Sequence, residues 1–181
     1  MAIVVEGGSG RGVGKTALIC GLIAALPEYC WTAVKISTHA HGLPQPVWEE
    51  TEPAADLGQG TDTARYLAAG AHRALFVSAG DDELGRTVLQ LIEEEGPAGN
   101  LIIESNRILR HLKPDLCLAV AGGTEEASKP SFTAVVERMD AMVVLAERDH
   151  VVGGDTPEFH LRALERISPE MLGWLCKRLA A

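Results

Sequence analysis

The segment Gly7-Gly8-Ser9-Gly10-Arg11-Gly12-Val13-Gly14-Lys15-Thr16-Ala17 carries the clearest chemistry in this sequence. It follows the apolar run Ala2 to Val5 and leads into a stretch of helical character. Five glycines in the eight positions from 7 to 14 allow a backbone turn with its N–H groups inward, through φ > 0 conformations that side chains resist. Inward amides at a helix N-terminus bind phosphate oxygens. Lys15 is placed to contact the β- and γ-phosphates, and the Thr16 hydroxyl to coordinate Mg²⁺. The expected ligand is a nucleoside triphosphate held by residues Gly8 to Ala17. The usual pattern puts its first glycine five residues before Gly14, where Ser9 stands; Gly8 is one position earlier. A dinucleotide-binding G-x-G-x-x-G fails, since from Gly10 and Gly12 the third glycine would fall on Lys15. This reads as a mononucleotide site with a longer spacing.

Mg²⁺ on a triphosphate usually takes a carboxylate from a neighbouring strand end. Glu104, directly after Leu101-Ile102-Ile103, is the best candidate, against a simple ion pair with Arg107 or a helix N-terminus. Asp62 is a second candidate ligand, although an acid in a first helical turn is favoured for its own sake. An i,i+3 pair with Arg65 also explains it. Lys35 lies inside an apolar run, where lysine is costly unless its ammonium meets an anion or the rim; contact with a phosphate or substrate anion is the favoured reading. Lys15, Lys35, Asp62 and Glu104 are the expected catalytic set, with Thr16, Asp62 and Glu104 on the metal. Thr38, His39 and His41 follow Lys35, and solvated loop histidines explain that pair better than metal ligation. Gln59 and Asp62 are equal candidates to position a water. No Asn-Lys-x-Asp is present to read guanine, so GTP and ATP both remain open.

The elements that must hold these residues alternate between apolar runs and helical period. Strands are expected at Ala2 to Val5, Trp31 to Ile36, Ala74 to Ser78, Leu101 to Ile103, Leu116 to Ala121 and Ala141 to Ala146. A helix from about Gly14 to Leu26 stops at Pro27, and a second starts at a capping Thr61. Leu84, Val88, Leu91 and Ile92 mark a third helix, ended by Gly96-Pro97. Ile108, Leu109 and Leu112 follow at helical spacing, and Ser131 caps a short helix through Phe132, Val135 and Val136. Thr156-Pro157 and Ser168-Pro169 each read as an N-cap followed by proline at the first helical position. The last helix is expected to bury Leu172, Leu175, Cys176 and Leu179. His39 to Gly60, with three prolines and no period, reads as a long loop. The implied fold is α/β: one doubly wound, mostly parallel sheet with helices on both faces, in a single nucleotide-binding domain over residues 1–181.

Composition excludes other classes. The chain has 181 residues, 46% hydrophobic and 23% charged, ordinary for a globular domain. A net charge of −9 repels phosphate backbones, so nucleic acid is not the expected partner. The longest apolar run, Ala17 to Leu26, is shorter than the roughly 20 residues that span a bilayer. No basic region precedes an apolar core at the N-terminus, so a cytoplasmic location without an export signal is expected. The four cysteines form no C-x-x-C pair and read as buried, reduced thiols.

Three stretches resemble the MobB family, the molybdopterin-guanine dinucleotide biosynthesis protein B. They are the N-terminal strand with its phosphate loop, Val34-Lys35 with the histidine-bearing segment Thr38 to Gly42, and Asp62-Thr63-Ala64-Arg65-Tyr66-Leu67-Ala68-Ala69-Gly70-Ala71. The resemblance covers about residues 1–78, continues loosely to the Glu104 strand end, and has no counterpart after roughly residue 125. It implies a P-loop NTPase that binds GTP with Mg²⁺, hydrolyses it slowly as a homodimer, and assists a MobA-like guanylyltransferase in molybdenum cofactor biosynthesis. By position, Gly10, Gly12, Gly14, Lys15 and Thr16 hold the phosphates, with Lys35, Asp62 and Glu104 around Mg²⁺ and the γ-phosphate. The chain departs from that family in its five-residue spacing between Gly8 and Gly14, and in Glu104-Ser105-Asn106-Arg107 where a Glu-Gly pair belongs. The longer spacing looks more like dethiobiotin synthetase and its relatives, which implies an ATP-dependent, carboxyl-activating ligase as the alternative. A nucleotide-dependent metallochaperone using His39, His41 and Cys30 is the third reading.

Overall fold

In the computed structural model the described residues are 1–37, 46–121, 130–146 and 156–180. They build eight strands: β1 (Ile3–Gly8), β2 (Thr32–Ser37), β3 (Val47–Glu50), β4 (Arg73–Ser78), β5 (Leu101–Glu104), β6 (Leu116–Val120), β7 (Ala141–Leu145) and β8 (Glu158–Leu161). The helices are α1 (Lys15–Ala25), α2 (Asp62–Ala68), α3 (Asp81–Glu95), α4 (Pro130–Thr133) and α5 (Pro169–Leu179), with 3₁₀ turns at Pro27–Tyr29, Arg107–Arg110 and Val136–Arg138. All strands join one sheet in the order β3-β4-β2-β5-β1-β6-β7-β8. Every neighbouring pair is parallel except β3–β4. The expected α/β class is borne out.

Each central strand is apolar on both faces because helices cover both. Val4, Ala33, Ile102 and Leu118 pack with Leu18, Ile19 and Leu22 of α1, Tyr66 of α2, and Met171 and Leu175 of α5. Ile3, Val5, Val34 and Ile103 face the other way, onto Leu84, Val88 and Leu91 of α3 and onto Ile108 and Phe132. Successive side chains alternate along a strand. Glu6, Lys35 and Glu104 therefore fall on the same face as Val4, Ala33 and Ile102, toward α1. That period, with the parallel register, is what assembles the site.

The structure departs from the sequence-based expectations in several places. The segment read as one long loop contains β3, whose Val47-Trp48-Glu49-Glu50 offers little apolar signal; it pairs antiparallel at the sheet edge, where one face is solvated and Glu49 meets Arg73 at 3.0 Å. Thr156-Pro157 starts β8, not a helix, because an X-Pro dipeptide is extended and suits a strand start as well as a helix start; Phe159 and Leu161 then turn inward. Ile108 and Leu109 sit in a single 3₁₀ turn. Ser131 lies within α4, not ahead of it. On α5, Met171 and Leu175 are buried while Cys176 is exposed. Cys30 is also exposed, leaving Cys20 and Cys117 as the buried thiols. The capping expectations at Thr61 and Ser168 hold: each hydroxyl accepts from a backbone N–H three residues on.

Among the described residues no helix is long and apolar enough to cross a membrane.

Gly21 shows how tightly α1 is seated. A Cβ there would lie 2.7 Å from the Leu164 carbonyl oxygen and 2.9 Å from the Glu165 carbonyl carbon. Gly21→Ala gains about 1 kcal/mol of helix propensity but overpacks rigid backbone at about 1–3 kcal/mol. A net loss of stability in urea unfolding is expected; an unchanged or higher midpoint would mean that the 164–165 turn gives way freely.

Candidate functional site

The loop between β1 and α1 is shaped by glycine. Gly12 and Gly14 take φ of 73° and 106°, a region that L side chains rarely enter. Gly14 is the N-cap of α1, and its carbonyl accepts from the Leu18 amide at 3.0 Å. At the loop's start the Asn106 side chain grips Gly8 from both sides. The Gly8 N–H donates to Oδ1 at 2.9 Å, and Nδ2 donates to the Gly8 carbonyl at 3.0 Å. A side chain on Gly7 would collide, its Cβ falling 2.4 Å from Asn106 Oδ1. The Ser9 amide donates to the Val120 carbonyl at 3.1 Å, fixing the loop to β6 as well. Lys15 folds back over the loop and donates to the Gly10 carbonyl at 2.8 Å. Arg11 and Gly12 face solvent at the loop's crest, Val13 is buried beneath it, and Ala17 packs against the core.

Beside this loop, four elements bring a polar cluster together. Thr16, in the first turn of α1, lies 3.0 Å from Asp62 Oδ1 and 2.9 Å from Glu104 Oε2. Lys35, from β2, is 2.8 Å from Asp62 Oδ2 and also pairs with Glu104 Oε1. Tyr66, wholly buried on α2, donates its hydroxyl to Glu104 Oε2 at 2.5 Å. Glu104 thus has three donors within reach while only 3% exposed, the one Thr16 proton serving either Glu104 or Asp62 at a time. Burial works against the Lys35 ammonium, yet the Glu104 charge and the hydrogen bonds to Asp62 and Glu104 outweigh it and raise its pKa. Burial likewise opposes the Asp62 carboxylate, and its bonds to Lys35 and Thr16 with the Lys35 charge hold its pKa below the usual range. Burial and then the Glu104 charge push the Tyr66 phenol well up, so it stays a donor.

Thr16 Oγ1, Asp62 Oδ1 and Glu104 Oε2 are hard oxygens of the kind Mg²⁺ takes, gathered at hydrogen-bonding distance about Thr16. Among the described residues no group of three or more His, Cys, Asp or Glu could hold an ion alone. The cluster could hold Mg²⁺ only together with other oxygens, as from water or phosphate.

Lys15, Thr16, Lys35, Asp62 and Glu104, separated by up to 89 positions (104 − 15) in the chain, meet at one end of the sheet. Arg107 does not pair with Glu104; it donates to Asp81 Oδ1 at 2.7 Å and to the Ala79 carbonyl at 3.1 Å. Arg65 reaches Asp62 only at 3.7 Å and donates to the Leu57 carbonyl at 2.5 Å. Gln59 is exposed in the turn before α2. Thr38, His39 and His41 lie outside the described residues. Sequence reasoning missed Tyr66 and Asn106. For Tyr66 a signal existed, since it stands one helical turn after Asp62; an asparagine two residues past a strand gives none.

No protein-family model and no curated protein matches the chain. Among solved structures it is similar to LpxK from Aquifex aeolicus, solved in complex with ATP, at 18% identity and a TM-score of 0.55. The match covers 88% of this chain and 53% of that one. The two share one fold over most of this chain's length. The chain spans about half the length of the LpxK structure, and at that identity the likeness concerns the fold alone.

The Lys35 ion triad gives a stability test. Lys35→Met leaves Glu104 buried without its cation, which costs about 3 kcal/mol when a buried pair loses one partner. The expected result is a lower urea midpoint at neutral pH. In the wild type, the Asp62 contribution is present above the ordinary value of 3.8 and is lost as pH falls through its lowered folded pKa. The Lys35 contribution is present below 10.5 and is lost as pH rises through its raised folded pKa. If wild type and Lys35→Met show parallel pH–stability curves through both windows, the triad contributes nothing.

Proposed function

We propose that the chain is a Mg²⁺-dependent nucleoside triphosphate-binding protein with slow intrinsic hydrolysis, serving as an accessory protein in molybdopterin guanine dinucleotide biosynthesis as MobB does. The observation that carries the nucleotide part is the convergence of Thr16, Asp62 and Glu104 within 3.0 Å contacts beside a glycine loop that ends in Lys15. On this reading the loop amides from Gly8 to Gly14 and the N-terminus of α1 bind phosphate oxygens. Lys15 exchanges the Gly10 carbonyl for the β- and γ-phosphates. Thr16, Asp62 and Glu104 would hold Mg²⁺, which when bound offsets the phosphate charge. Lys35 turns from the carboxylates to the γ-phosphate.

Slow turnover follows from how the carboxylates are held. Asp62 is engaged by Lys35 and Thr16, and Glu104 by Lys35, Thr16 and Tyr66. Donors that hold Asp62 in its charged form make it a poor proton acceptor, and Glu104 stays enclosed by its partners until Lys35 moves. The MobB-like segments support the accessory role, since Lys35, Asp62 and Tyr66 come from two of them. GTP is then the expected nucleotide, a MobA-like guanylyltransferase the partner, and a homodimer the assembly.

The spacing of the loop favours a second reading, an ATP-dependent carboxyl-activating ligase of the dethiobiotin synthetase kind, in which Lys35 orients the acceptor anion. Calorimetric titration with GTP and ATP, each with Mg²⁺, separates the two. A GTP preference of tenfold, about 1.4 kcal/mol, is expected for the accessory protein. An ATP preference favours the ligase, and binding of neither nucleotide overturns both. Lys15→Ala should weaken triphosphate binding about a hundredfold, the scale of two hydrogen bonds to a charged group, with its thermal melt unchanged. Glu104→Gln should slow Mg²⁺-dependent hydrolysis more than it weakens binding; equal effects on both would make Glu104 a structural ion-pair partner.

A further inference from the structure

Glu6 has no part in the reading above, and it is the least comfortable residue in the fold. It is the one charged residue of β1, fully buried, and neither of its carboxylate oxygens has a hydrogen-bond partner. Burying such a group unpaired is costly, and native structures do it rarely. The strand period turns Glu6 toward α1, away from the Val5 face. Across the sheet its register partner is Glu104, whose own partner on the far side is Lys35. Glu6, Glu104 and Lys35 thus stand in one row at the carboxyl ends of β1, β5 and β2, beside the phosphate loop.

The surroundings offer Glu6 charge but no donor. Burial and the Glu104 charge raise its pKa well above the ordinary glutamate range, against weaker opposing pulls from Lys15 and Lys35. The Val120 amide favours the charged form slightly without reaching hydrogen-bonding geometry. Lys15 donates to Gly10, and Lys35 to Asp62 and Glu104. As a carboxylate Glu6 can only accept, from a ligand that brings N–H or O–H groups, and triphosphate oxygens, acceptors themselves, cannot pair with that form. Water on a divalent cation can, because Mg²⁺ gives up its hydration shell reluctantly and keeps several waters when bound. Direct ligation by Glu6 is disfavoured, since among the described residues no three acidic side chains converge on one point.

We propose that Glu6 is a further residue of the cation site, accepting hydrogen bonds from water carried by the nucleotide-bound Mg²⁺. This rests on the Mg²⁺–triphosphate reading. It assigns Glu6 a place outside the direct ligands, on the sheet side of the loop. Asp62, Glu104 and Thr16 keep the inner positions.

The test is calorimetric titration of the full chain with ATP and with GTP, in Mg²⁺ and in chelator, for wild type, Glu6→Gln and Glu6→Leu. The quantity read is the factor by which Mg²⁺ strengthens nucleotide binding. It is expected to fall about tenfold in both variants, the scale of one hydrogen bond to a charged group. The ligand-free variants should melt at or above the wild-type temperature, since an unpaired buried carboxylate has been removed. An undiminished Mg²⁺ factor overturns the proposal, and so does a variant that fails to fold, because Glu6 would then be needed by the ligand-free structure. A wild type that binds nucleotide with a Mg²⁺ enhancement shared by the variants sinks the Glu6 role alone. A wild type that binds no nucleotide sinks the triphosphate reading with it.

Discussion

The parallel register of β1, β5 and β2 fixes Glu6, Glu104 and Lys35 side by side, and the rest of the polar cluster is arranged around that row. Strands in a sheet lie about 4.8 Å apart, a spacing that lets Lys35 span from Glu104 to Asp62. Because the side-chain period is two, a slip of one residue in β5 would turn Glu104 into the Ile and Val core beneath α3. Thr16, Tyr66 and Lys35 would then lose their shared acceptor. The hydrophobic pattern of β5 resists that slip: Leu101 and Ile103 fill one core and Ile102 the other. Apolar residues with no chemistry of their own thus hold the register on which the charged row depends.

Glu104 and Asn106 are two residues apart and serve the two halves of the site. Glu104 gathers Thr16, Lys35 and Tyr66, while Asn106 replaces a missing backbone partner for Gly8 and so ties the loop to the end of β5. The segment that departs from the MobB pattern, Glu104-Ser105-Asn106-Arg107, is the one that makes this clasp. Ser105 supports it by accepting from the Arg107 amide at 3.1 Å, and Arg107 anchors the turn to the start of α3 through Asp81. The grip on Gly8 also explains why Gly7 carries no side chain.

Much of the parallel core was legible from sequence because its strands are continuous apolar runs between glycines and helical stretches. Val4 with Val5 and Ile102 with Ile103 announce burial on both faces. β3 and β8 were not legible, since four-residue edge strands show two apolar residues each, and Pro157 carries the same signal before a strand as before a helix. Lys15, Thr16, Lys35, Asp62 and Glu104 could be picked out as chemistry-bearing residues at strand or helix ends. Their mutual contacts could not, because sequence spacing says nothing of register across a sheet. Tyr66 passed for an ordinary core aromatic, and Glu6 for the edge of an apolar run. In both, the telling fact is three-dimensional: a hydroxyl on Glu104 in one, an unpartnered carboxylate in the other.

Lys35 occupies, in the ligand-free protein, the electrostatic position that a divalent cation would claim. Its ammonium joins Asp62 and Glu104, the two carboxylates the proposed reading assigns to Mg²⁺. Lys35 takes Asp62 Oδ2 and Glu104 Oε1 while Oδ1 and Oε2 face Thr16, so on the proposed reading free Mg²⁺ would have to enter beside the ammonium and against its charge. On that reading a triphosphate would change the balance, because its γ-phosphate would offer Lys35 a new anion and its oxygens would share in holding the metal. Cation and nucleotide should therefore bind as a unit, each weakly without the other. On the proposed reading, the Lys35 charge set among Glu6, Asp62 and Glu104 would favour a metal that arrives already on its phosphate.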